Sequence, residues 1–141
     1  IMDDIKDFDS DIYLMTHTTN PFLTKNSIEN AIIKFRDALS QDETDSMFSV
    51  NKVQERFYSS SLKALNHDPN NLIPTQDLEP WYKENSNLYL FTKKSFSETN
   101  ARIGKKPMIL EMDPFESIDI DTPSDWEFAE AMIKFLKNKS I

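Results

Sequence analysis

Two aspartates, Asp119 and Asp121, stand two residues apart in the stretch ESIDIDTPSDW, each preceded by an isoleucine, and a helix-start signal follows at once. In an extended strand, residues two apart project from one face, roughly 6.5–7 Å apart along the chain. The two carboxylates would then point together, with Ile118 and Ile120 on the other side. Such a pair at the carboxyl end of a strand suits Mg²⁺, which keeps several waters and takes its remaining ligands from substrate phosphates. An ion held there offsets the charge that builds at a phosphorus during group transfer. The plainer alternative is that one aspartate caps a turn and the other is solvated, and the spacing alone does not choose.

Two other stretches carry groups suited to a hydroxylated ligand. THTTNPFLT offers His17, Thr18, Thr19 and Asn20 as donors and acceptors in a loop that leaves the carboxyl end of a strand, where open α/β sheets bind ligands. The alternative is an ordinary loop whose hydroxyls satisfy nearby backbone groups. ENSNLYLFT sets Asn85 and Asn87 before a strand that carries Tyr89 and Phe91, either amide donors beside an aromatic wall or a turn followed by a core strand. Lys93, Lys94, Arg102, Lys105 and Lys106 make a loosely basic segment, which reads first as a solvated face.

The elements that must position these groups alternate between strand and helix. Asp11–Met15 reads as a short strand, and a helix is expected over 27–39, opened by Asn26 with Glu29 at capping-box spacing. Ile28, Ile32, Phe35 and Leu39 form its apolar stripe, which should pack on a sheet. Strands are expected at 46–53, 88–92 and 107–112, and a proline-bearing excursion at about 50–84 interrupts the series. The last helix is expected over 123–138. Thr122 is its N-cap, Pro123 its first residue and Asp125 its third, with Trp126, Ala129, Met132, Ile133 and Leu136 on one side. The class is α/β.

Composition removes several chemistries. The 141 residues suffice for one domain, and the net charge of −8 argues against binding a nucleic-acid backbone. With no cysteine and only two histidines, a metal here would be held by oxygen. One glycine, Gly104, stands where average usage of about 7% would supply roughly ten, so no glycine-rich phosphate loop lies in these residues. No apolar run is long enough for a membrane span and the opening IMDDIKDFDSD is too acidic for a targeting signal, so a cytoplasmic protein is expected.

In this order and spacing, THTTNPFLT, TQDLEPWYKENSNLYLFT and ESIDIDTPSDW resemble the acylneuraminate cytidylyltransferases, the CMP-sialic acid synthetases and relatives acting on similar nine-carbon sugar acids. The resemblance implies a Rossmann-like nucleotide-diphospho-sugar transferase fold and transfer of CMP from CTP to the anomeric hydroxyl of a sugar acid, with Mg²⁺ and release of pyrophosphate. It implies a homodimer in which the excursion is the dimerisation element and closes the neighbour's site. It assigns Asp119 and Asp121 to the metal, Asp121 as the catalytic one, and His17, Thr19, Asn20, Gln76, Asn85 and Tyr89 to substrate.

The departures from that family are specific. Leu23 and Thr75 stand where arginines are common, and Ser86–Asn87 replaces a Gly-Ala pair. The strand and Arg/Gly/Lys loop that hold the CTP phosphates in the family precede anything like DIYLM, and only ten residues do so here. The expectation is therefore the C-terminal part of a cytidylyltransferase domain without its nucleotide grip. Two alternatives stand beside it: a non-catalytic dimerising or sugar-binding module, and a glycosyltransferase of the related nucleotide-sugar fold.

Overall fold

A computed structural model describes residues 2–139, with side chains described for 5–138. Helix α1 (Met2–Asp7) leads into β1 (Tyr13–Thr16), α2 (Lys25–Ser40) and β2 (Ser46–Val53). A single 3₁₀ turn (Thr75–Asp77) precedes β3 (Trp81–Phe91), α3 (Lys93–Thr99), β4 (Pro107–Glu111) and α4 (Pro123–Lys139). The sheet order is β1-β3-β2-β4, with β3 antiparallel to both its neighbours and β4 parallel to β2. Strands β1, β2 and β4 therefore point one way, and their carboxyl ends share one end of the sheet.

Side-chain alternation along β3 separates two cores. Leu88 and Leu90, with Met47, Leu110 and Met112, pack under Ala31 and Phe35 of α2. Tyr89 and Phe91 face the other way, onto Phe96 of α3 and Ile5 of α1. The stripe expected on α2 packs as its spacing implied: Phe35 is fully buried, and Ile28, Ile32 and Leu39 flank it. Truncating a side chain so placed costs about 3–5 kcal/mol.

Helix α2 starts earlier than expected. Its cap is Thr24 and not Asn26, for the Thr24 hydroxyl accepts from the Ser27 amide at 3.2 Å. Both Thr24 N–H and its hydroxyl also reach the Glu116 carboxylate, at 3.1 and 3.2 Å, a partner 92 residues away that no local signal could name.

Strand β3 is the larger correction. It begins at Trp81, so Asn85 and Asn87 lie within it. Residues 81–84 pair with 50–53 in a two-stranded arm whose β3 side is exposed, and so they lack the apolar alternation that marks a half-buried strand. Between Phe48↔Tyr89 and Val50↔Glu84 the chain advances two residues on β2 but five on β3, an extended bulge. Ser86 sits in that bulge at φ 59°, a left-handed conformation natural to glycine, which explains a glycine at this position in the sequences it resembles.

Candidate functional site

The loop after β1, the bulge of β3 and the segment between β4 and α4 meet at the carboxyl ends of the parallel strands. Asp119 and Asp121 line one cleft there, about 260 Å³ in volume, together with Asn51, Lys83, Glu84, Asn85, Ser86 and Ser117. The strand expected for the aspartates is absent: after a turn at 114–117, residues 118–121 form an irregular segment. Two anchors hold it, since the Ile120 amide donates to the Thr19 carbonyl at 3.0 Å and the Asn20 side-chain amide donates to the Ile118 carbonyl at 3.3 Å. The β1 loop thus supports the backbone that carries both aspartates to the cleft.

Neither aspartate caps a helix. That task belongs to Thr122, whose hydroxyl accepts from the Asp125 amide at 3.3 Å. The Asp125 carboxylate in turn accepts from the Thr122 and Asp121 amides at 2.8 and 3.2 Å. The Thr122 hydroxyl and these amide bonds hold the Asp125 carboxyl below its ordinary value. Asp121 is thereby fixed at its backbone while its carboxylate stays exposed. Asp119 is half-buried, and its Oδ1 is buried without a hydrogen-bond partner.

Behind the aspartates lies an amide network. Asn85 Oδ1 accepts from the Ser49 hydroxyl at 2.6 Å and from the Asn87 amide at 3.3 Å, and its Nδ2 donates to Asn51 Oδ1 at 3.1 Å. Asn51 passes the chain on to the Ser117 hydroxyl at 2.7 Å, and Asn87 Nδ2 donates to the Glu116 carbonyl at 2.5 Å. Asn85 is thus spent on holding residues 116–117, although its edge reaches the cleft wall. These linked bonds reinforce one another, and Asn87 Oδ1 alone in the network lies buried without a partner.

Tyr89 is fully buried and serves as a floor. Its hydroxyl donates to the Glu84 carboxylate and lies 3.2 Å from Ser86 Oγ, and burial, reinforced by Glu84, raises its pKa above the ordinary phenol value. The His17 ring lies 6.5 Å from the Tyr89 ring, with Nε2 buried and without a partner. Asn20 is buried, Thr19 half-buried. Gln76 is not brought to the cleft: it is exposed on the excursion, where its carbonyl accepts from Gln54 at 2.9 Å.

Lys83, Glu84, Asn51, Ser117 and Glu116 are site residues that the sequence reading passed over. Glu116 and Ser117 are the aspartates' own chain neighbours, while Asn51, Lys83 and Glu84 carry no local motif and are brought there by the β2–β3 register and the bulge. No group of three or more His, Cys, Asp or Glu side chains among the described residues would enclose a metal. Asp119 and Asp121 nonetheless fit Mg²⁺ that is completed by water and phosphate oxygens, for Asp119 keeps an unsatisfied buried oxygen and Asp121 an open carboxylate.

No protein-family model matches the sequence. The CMP-N,N'-diacetyllegionaminic acid synthase of Legionella pneumophila is 29% identical over 134 residues, covering 88% of this chain and 54% of that protein. The resemblance to the acylneuraminate cytidylyltransferases holds. In structure the chain matches the 4-diphosphocytidyl-2C-methyl-D-erythritol synthase of Anaerococcus prevotii at a TM-score of 0.59 and 15% identity, over 94% of this chain and 64% of that one. The fold is of the nucleotide-diphospho-sugar transferase type, as the motifs implied. The chain spans about half the length of the relative it matches in sequence. No helix of the described residues is long and apolar enough to cross a membrane.

Proposed function

We propose that this chain is the sugar-acid, metal and dimerisation portion of a cytidylyltransferase that transfers CMP from CTP to a nine-carbon, sialic-acid-like sugar with release of pyrophosphate. The observation that carries the reading is that Asp119 and Asp121 line one cleft on a segment hung from the 17–20 loop by the Thr19–Ile120 and Asn20–Ile118 hydrogen bonds. Asp119 and Asp121 would hold Mg²⁺, which when bound supplies charge stabilisation at the transferring phosphorus. Asn85, Asn87 and the Asp125 cap keep those carboxylates in place. Thr19, Asn20 and His17 shape the sugar side over the Tyr89 floor. Gln76, remote from the cleft of its own chain, would serve the neighbouring subunit in a homodimer, carried there by the excursion.

The test is direct: full-length protein, CTP, Mg²⁺ and N,N'-diacetyllegionaminate or N-acetylneuraminate, with CMP-sugar and pyrophosphate detected by mass spectrometry. Asp121→Asn should lower CMP transfer roughly 10²–10³-fold at unchanged melting temperature. Undiminished transfer in that variant overturns the metal assignment.

One observation favours a second reading, a dimerising or sugar-binding module without catalysis. The single glycine lies far from the cleft, against Asp45, whose carboxyl atoms are 2.3–2.6 Å from where a Cβ would stand. It makes no phosphate cradle. A natural product near 16.5 kDa that folds, dimerises and fails to bind CTP would establish the module.

A further inference from the structure

The basic segment that looked like a solvated face divides in two. Lys93, Lys105 and Lys106 pair at 2.9 Å with Asp9, Glu98 and Asp42 on the surface. Arg102 does not join them. Its guanidinium carbon lies 4.2 Å from the centroid of the Tyr89 ring, and Nη1 reaches only the weak thioether acceptor of Met15, at 3.9 Å. Among the described residues it has no carboxylate partner, in a chain with 24 acidic residues and a net charge of −8. A half-buried guanidinium so placed keeps most of its five donors available.

The same ring holds His17 at 6.5 Å, its Nε2 buried and unsatisfied, and the Tyr89 hydroxyl is bonded to Glu84 and Ser86 of the cleft wall. Guanidinium and imidazole thus share one aromatic support that connects to the aspartate cleft. Leu23 and Thr75, where arginines stand in the sequences this chain resembles, carry no charge, and Leu23 packs against the α2 core. We propose that Arg102, seated on the Tyr89 ring, forms the anion subsite that takes the carboxylate of the sugar acid, and so selects an acidic over a neutral sugar. A bidentate guanidinium–carboxylate contact supplies the discrimination.

This assignment rests on the proposed sugar-acid reading, and the experiment separates the two. Binding of N,N'-diacetyllegionaminate and of its neutral C1 methyl ester to the full-length protein is measured by calorimetry, beside KM for the acid and for CTP. Arg102→Ala should raise Kd and KM for the acid at least about tenfold, with KM for CTP and binding of the ester unchanged, and Arg102→Lys should restore part of the loss. Should Arg102→Ala fail to fold, Arg102→Gln retains the packing stem and carries the same expectation.

Equal losses for acid and ester, or no loss for the acid, overturn the subsite and leave the function untouched. Arg102-dependent binding of the acid without CMP transfer overturns the function and retains the subsite. Displacement of the acid by inorganic phosphate at concentrations far below those needed of acetate reassigns the subsite to a phosphate and overturns the carboxylate. A wild-type protein that binds no sugar acid overturns both.

Discussion

Tyr89 carries a measurable signature of the site it supports. Burial, then the Glu84 carboxylate, raise its pKa above the ordinary value near 10, so the folded chain holds the phenolic proton more tightly than the unfolded chain does. The stability this contributes is fully present below about pH 10 and is lost as pH rises through the folded value. Urea denaturation across pH 8–12 should show stability falling above about pH 10, and Tyr89→Phe should flatten that decline. An unchanged alkaline slope in Tyr89→Phe would mean that the hydroxyl is solvated. At Asp119 the logic is different. A buried carboxylate oxygen without a partner costs free energy, and in the proposed function the Mg²⁺ would offset that cost.

Elements in this molecule are held together at their ends. Thr24 caps α2 and in the same stroke grips Glu116, whose neighbour Ser117 begins the approach to the aspartates. Thr122 and Asp125 cap α4 and fix the backbone of Asp121. Thr24→Ala should therefore cost about 1 kcal/mol of stability, the usual value of a lost threonine cap, and lower CMP transfer as well because the 116–121 segment loses an anchor. Thermal denaturation together with an activity assay checks this, and a variant that loses stability while keeping full activity would show the two helix ends to be uncoupled. The β3 bulge works similarly, since it turns Asn85 and Asn87 toward residues 116–117 and not along the sheet.

Across the whole molecule the apolar surface is uneven. The excursion exposes Tyr58, Leu62, Leu65, Leu72, Trp81 and Tyr82, with Phe57 stacked on Trp81 at 5.1 Å, and Leu62 is 82% exposed at φ 62°. Exposed aromatic and aliphatic residues gathered on one arm favour a covered surface over a solvated one. In the proposed homodimer this arm meets the second copy. Leu62→Asp combined with Leu72→Asp should halve the mass seen by light scattering in solution, and an unchanged mass would remove the arm from the interface. Helix α4 departs from its stripe: Ala129 is buried, while Trp126 and Ile133 remain exposed.

Residue types and local order settled more than their short range suggests. The α2 stripe, the Thr122–Asp125 cap and strand β2 are local patterns, dictated by side-chain spacing within a few turns, and they stand where the sequence puts them. The order of three motifs carried the resemblance, which the match to a synthase sequence and a shared fold bear out. Composition likewise excluded thiolate and glycine-loop chemistry within these residues. Tertiary structure decided everything that depends on pairing between distant segments. It made Asn85 a brace, withdrew Tyr89 beneath the cleft, took Arg102 out of a basic surface run and set it on an aromatic ring, and replaced the imagined strand at Asp119 with a segment hung from the Thr19 loop. The reason is physical: side-chain periodicity reports which face a residue presents, whereas register, bulges and caps across more than 90 residues decide what that face meets.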